Sequence, residues 1–109
     1  MIVINIASDY TKSPGGRLRS EGKYSGEDFR EKMLKPQFFA AINNNEDLTV
    51  NLDGGYGYAT SFLEEAFGGL ARETNDPRVL NIKIVSDEEP YLVQKIHDYI
   101  NDALKSESN

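Results

Sequence analysis

Ser61 and the glycine-rich turn ahead of it are the positions in this sequence best suited to chemistry. Ser61 opens a helical pattern, Thr60-Ser61-Phe62-Leu63-Glu64-Glu65-Ala66-Phe67. Two readings share that geometry. As an N-cap, its hydroxyl accepts a backbone N–H, and Glu64 three residues on completes a capping box. As a phosphoacceptor, it places a dianion at a helix N-terminus, where the dipole and free amides stabilise it. Asp53-Gly54-Gly55-x-Gly57 lies just before, at a strand-to-helix transition. Open α/β sheets bind ligands at that end of their strands. A phosphate or nucleotide held by the Gly54–Gly57 turn, with Arg17 in support, is therefore the alternative function. The turn matches neither of the standard phosphate-binding glycine patterns, so shaping the helix entry is the simpler reading. Glu64 and Glu65 are adjacent on a helix and point about 100° apart, which does not suit paired-carboxylate catalysis. Tyr56 and Tyr58 flank Gly57 in the connector, where they read either as a contact patch, as loop tyrosines often do, or as partly buried beside the sheet.

Composition removes several classes of site. The chain has 109 residues, enough for one domain over 1–109 and not two. There is no cysteine, which excludes disulfides, thiolate zinc sites and a cysteine nucleophile. The single histidine, His97, lies on a helical pattern beside Ile96 and reads as a surface residue. No apolar run approaches the ~20 residues of a spanning helix, and the opening residues lack a signal-peptide pattern. A cytoplasmic protein with no metal and no cofactor is expected. Twelve basic against eighteen acidic residues give a net charge of −6, which disfavours nucleic acid, and no membrane partner is expected. An acidic inhibitor of a basic partner surface is a third function compatible with that charge.

The elements that must position these residues follow from periodicity. Ile2 to Ala7 reads as a strand, and Ser13-Pro14-Gly15-Gly16 as a loop. Arg17 to Lys23 fits either a short edge strand or a basic loop. Ser25 is placed to cap a helix bearing Phe29, Met33 and Leu34, which Pro36 should break or kink. Leu48 to Asp53 alternates as a central strand. The helix from Ser61 contains Gly68-Gly69, a cost of about 1 kcal/mol per glycine that close packing against the sheet would offset. Val79 to Val85 is a further strand. Ser86 and Glu89 form a second capping-box pattern, with Pro90 in the first turn. The last helix presents Leu92, Ile96, Tyr99, Ile100 and Ala103 as one apolar stripe. The order is that of an α/β domain, a small, mostly parallel sheet of three to four strands flanked by helices, with room for an antiparallel edge pair at the start.

Three blocks carry a family resemblance: Gly15-Gly16-Arg17 through Ser25-Gly26-Glu27-x-Phe29-Arg30, then Leu52-Asp53-Gly54 with Gly57-Tyr58, then Ser61 through Leu70. The chain resembles the STAS-like domains of unknown function found in bacteria and phages, related in fold to the STAS domains of anti-sigma-factor antagonists. The resemblance implies a non-enzymatic regulatory module that binds a protein partner, an ATP-binding, kinase-like protein in the antagonists. It also implies a phosphorylated serine within Asp-Ser-Ser-Gly. Ser61 falls at that serine, with Ala59 where the aspartate would stand and Phe62 where the glycine would. The contact surface so implied is Tyr56, Tyr58, Thr60, Ser61, Glu64 and Glu65, extended by Arg17.

Overall fold

Three short strands carry the branched aliphatic residues that start the core. The computed structural model describes residues 1–107. β1 (Ile2–Asn5), β2 (Leu48–Asn51) and β3 (Lys83–Val85) form one sheet in the order β1-β2-β3. All pairing is parallel, with Ile4 beside Val50 and Val50 beside Ile84. That row is buried, whereas Val3 and Lys83, in the row of opposite side-chain direction, are exposed. Parallel neighbours need crossover connections, and helices supply them.

β1 is shorter than its apolar run suggests, because Ile6–Asp9 folds into a single helical turn, α1. The Asp9 carboxylate accepts the Asn5 N–H at 2.8 Å. Residues after Pro14 form a loop with a 3₁₀ turn at Arg19–Glu21, so no antiparallel edge strand precedes the first long helix.

α2 runs over 26–43 as an α-helical start (Gly26–Phe29), a π-helical stretch (Arg30–Leu34) and an α-helical end (Lys35–Asn43). Ser25 caps it as expected, accepting the Asp28 N–H at 3.1 Å. Pro36 does not break it. The wider π turn just before Pro36 removes the usual i→i−4 demand that a ring without N–H cannot meet.

α3 covers 60–74 in the same way: Thr60–Leu63, a π stretch at Glu64–Gly68, then Gly69–Thr74. Here the capping reading of Ser61 fails. The N-cap position belongs to Ala59, in extended conformation and without a side-chain bond, and Ser61 sits inside the first turn. The Val79–Val85 run also divides, into a 3₁₀ turn (Pro77–Asn81) and β3. Asp76 accepts the Arg78 N–H and starts that turn, which consumes the residues expected to extend the strand. α4 spans Tyr91–Glu107. Ser86 does not cap it; its hydroxyl donates to the Glu89 carbonyl at 2.7 Å and closes the preceding turn.

The core lies between the sheet and these helices. Phe29, Leu34, Val50, Phe62, Phe67 and Ile96 are fully enclosed in it. The α4 stripe behaves as its spacing predicts, with Leu92, Ile96, Ile100 and Ala103 buried, and α4 packs on the π stretch of α3. Gly26 sets how closely α2 and α3 cross. A Cβ there would collide with the Phe62 carbonyl oxygen and press on the Glu65 Cβ. That neighbour is backbone and cannot swing aside. Gly26→Ala should therefore lower unfolding free energy by about 2 kcal/mol. Gly15→Ala, where a Cβ meets open space, should stay within about 0.5 kcal/mol of wild type by denaturant titration.

Candidate functional site

The two π stretches meet at one buried guanidinium. Arg30 opens the stretch in α2, and its side chain is only 8% exposed. Its Nη1 donates to the Glu65 carbonyl and to Glu65 Oε2, both at 2.6 Å. Its Nε donates to Glu73 at 2.9 Å and to Glu31 at 3.1 Å. Lys35 bridges Glu31 and Glu73 at 2.7 and 2.8 Å. On the other side, Arg17 donates to Glu64 and Glu65, and Arg72 donates to Glu64 at 2.6 Å. The Gly68-Gly69 pair owes its place to these ions rather than to the sheet. A Cβ on Gly69 would strike the Arg30 guanidinium, and one on Gly68 the Glu64 carboxylate.

The charges shift accordingly. The Arg72 guanidinium, with Arg17 beyond it, holds the Glu64 carboxyl below its ordinary value against the opposing effect of burial. Lys35 is the main cause that pulls Glu31 down to about 2. Burial pushes Asp28 up, but the Tyr10 hydroxyl, Arg19 and Lys32 outweigh it and leave that carboxyl low. Tyr10 donates to Asp28 at 2.6 Å, and Arg19 at 3.0 Å. The basic loop is thereby fixed. Gly26 and Glu27 donate their backbone N–H groups to the carbonyls of Gly16 and Arg17 at 3.0 Å.

The β2–α3 connector is pinned from the opposite side. Both Asp53 oxygens accept backbone N–H groups of the β3–α4 loop, from Asp87 at 3.1 Å and Glu88 at 2.9 Å. The Gly54 N–H donates to the Glu88 carboxylate at 2.7 Å, so the turn proposed to hold a phosphate already holds an anion of the chain itself. Arg17, its intended helper, is engaged by Glu64 and Glu65. Tyr58 donates to the Leu52 carbonyl at 2.8 Å and packs on Phe62. Burial first, then the Asp53, Glu88 and Glu89 charges, pushes its hydroxyl up to about 12. Tyr56 differs: its ring is 81% exposed, while its N–H is tied to the Lys12 carbonyl at 2.8 Å. Thr60 is exposed, and Ser61 is half-buried with no hydrogen bond to its hydroxyl.

The residues singled out from the sequence thus divide into two groups. Arg17, Glu64 and Glu65 come together in the ion cluster. Tyr56, Thr60 and Ser61 remain on the surface, and Tyr58 braces the loop beneath them. Arg30, Arg72 and Asp28 were not anticipated. For Arg30 the signal was Gly69, whose missing Cβ leaves room for the guanidinium crossing α3. Among the described residues no group of three or more His, Asp or Glu side chains is arranged to hold a metal, and no helix is long and apolar enough to cross a membrane.

The STAS-like domain of unknown function matches residues 25–89, from the α2 cap to the β3–α4 loop. The chain belongs to that family. The match spans more than half of the chain and includes the connector, α3 and the three-stranded parallel sheet's second and third strands. The basic loop of the STAS-like domain, including Arg17, precedes the matched residues. A comparison with curated proteins and one with solved structures each find no match.

Two outcomes test this arrangement. Arg30→Met leaves Glu65 and Glu73 without their shared cation, and should lower unfolding free energy by about 3 kcal/mol in denaturant melts. Acid should act through the depressed carboxyls. A carboxyl whose folded pKa lies below its unfolded value contributes stability above the latter and loses it as pH falls through the former. Stability should therefore drop between about pH 4.5 and pH 2, the window set by Glu31. Glu31→Gln should flatten that part of a melting-temperature profile.

Proposed function

We propose that this STAS-like domain is a non-enzymatic regulatory module that binds a protein partner through the β2–α3 connector and the first turn of α3. The observation that carries the reading is Tyr56. Its ring stands 81% exposed on a loop whose ends are fixed by Asp53, Glu88 and Lys12. A rigid, exposed tyrosine supplies contact area at low entropic cost, which is why such residues anchor interfaces. Thr60 and Ser61 continue the surface. The resemblance to anti-sigma-factor antagonists supports an ATP-binding, kinase-like partner, a cytoplasmic setting and Ser61 as a phosphoacceptor.

The geometry refines what a phosphate on Ser61 would do. The hydroxyl has no capping duty, so its modification removes no native bond. Glu64 and Glu65 lie three and four residues on, on the same helical face. Both are already paired with arginines. A dianion of roughly −1.5 to −2 at Ser61 would compete with them for Arg17, in addition to repelling an acidic partner surface.

The test uses four baits in a pull-down from the source cell with ATP present, read by quantitative mass spectrometry. A partner retained by wild type and by Ser61→Ala, and lost from Tyr56→Ala and Ser61→Glu, is the expected result. Ser61→Ala should melt within about 0.5 kcal/mol of wild type, because no cap is lost. Equal capture by all baits would remove Tyr56 and Ser61 from the interface.

A further inference from the structure

A second recessed surface lies at the other end of the sheet. There the chain leaves α2, turns through Asn45 in the left-handed region (φ 54°) and enters β2 at Leu48. The 3₁₀ turn that precedes β3 passes alongside. Because Ala41 is small, the two segments leave an open cavity of about 200 Å³. Its floor is apolar, formed by Phe38, Ala41, Ile42, Leu48 and Ile82. Phe39, 45% exposed and in ring contact with Phe38, adds apolar surface on the same helix. Small-molecule sites usually occupy about 300–1,000 Å³, so this space suits a single side chain.

The rim carries the selectivity. Glu46 and Asp47 both line the cavity. Asp47 is exposed, and its carboxylate has neither a hydrogen bond nor an ion pair. Glu46 is paired with the chain's own N-terminal ammonium at 3.0 Å, so the uncompensated charge at the rim is the Asp47 carboxylate. Arg78 also lines the space, but its Nε and Nη2 are committed to the Asp76 carboxylate, at 3.1 and 2.8 Å, and its charge is cancelled there. An apolar floor under an acidic rim complements a side chain with an aliphatic stem and a charged tip. We propose that this cavity is an anchor pocket for an arginine or lysine side chain presented by a partner protein. It is independent of Ser61 and Tyr56, which lie at the opposite ends of the strands.

The proposal is tested on the ¹⁵N-labelled chain, titrated with acetyl-alanyl-arginyl-alanine amide and with its norleucine and glutamate counterparts. Saturable amide shifts confined to residues 46–48 and 81–82 are expected for the arginine peptide. The norleucine peptide should bind several-fold more weakly, and the glutamate peptide not at all. Asp47→Asn, an exposed change that leaves the fold intact, should weaken arginine binding about three- to fivefold, the size of one rim ion pair. Equal or tighter norleucine binding would make this an apolar pocket without charge selection. Preference for glutamate would assign the rim to Arg78 instead. Shifts spread over residues outside the cavity, or no saturation, would remove the site altogether.

Discussion

A guanidinium buried between two helices is the constraint on which most of this structure turns. Arg30 cannot shed its proton at any accessible pH, so it must be surrounded by acceptors wherever it is placed. It enters the crossing of α2 and α3, where desolvation opposes its charge and Glu65, Glu31 and Glu73 restore it. The rest follows from that choice. The helices must approach closely, hence Gly26 against Phe62. The guanidinium must have room beside α3, hence Gly69. The Glu65 carbonyl must be turned toward it, and a carbonyl released from the regular helical ladder is what a π stretch supplies. The two π stretches meet at this point, Arg30 opening the one in α2 and Glu65 lying in the one in α3.

The clamp also decides which side chains stay on the surface. Acids at the start of a helix ordinarily face solvent and answer to the dipole. In α3 they are drawn inward by Arg17, Arg30 and Arg72, and the basic loop is pulled down with them. The connector ahead of α3 is held from its far side by Asp53 and Glu88. Between the two restraints, Tyr56, Thr60 and Ser61 stay outside on a backbone that has little freedom. Preorganisation of that kind is what lets a small surface bind without a large ordering cost.

Local pattern was legible in the sequence wherever one element decided the outcome. The Ser25 cap, the central place of β2, the apolar stripe of α4 and the connector after Asp53 all follow from residue types over short windows. The family blocks from Ser25 onward were legible too. What escaped were contacts between elements. Pro36 reads as a breaker because the sequence does not show that α2 widens just before it. Ser61 and Glu64 read as a capping box because their spacing fits one. The competing partners of Glu64, Arg17 and Arg72, lie 47 and 8 residues away along the chain. Gly68-Gly69 was correctly read as close packing, but against the wrong neighbour: the sheet was assumed, and an arginine occupies the space. Strand ends were overrun at Ile6 and at Val79 because apolar runs continue into helical turns that serve the same core.

A parallel sheet usually has both faces covered, since the crossover helices bury it. Here Val3 and Lys83 are exposed and flank the buried Thr49, and the next row pairs Asn5 with Asn51 and Asn51 with Val85. The face is mixed: Lys83 and the two asparagines tolerate water, and Val3 and Val85 are apolar. The edge of β1 is blunted as well, because Asp9 takes the Asn5 N–H that would otherwise recruit another strand. With strands of three or four residues, and the Asn5 N–H of the β1 edge taken by Asp9, the sheet offers little surface of its own. The exposed side chains and the recess described above lie at its two ends instead. The connectors at the C-terminal end present an exposed tyrosine and a serine hydroxyl, and the turns at the N-terminal end enclose an apolar cavity with an acidic rim. The separation follows from strand direction: in a parallel sheet all connectors of one kind gather at one end, so two surfaces of different chemistry can be held rigidly by one small core.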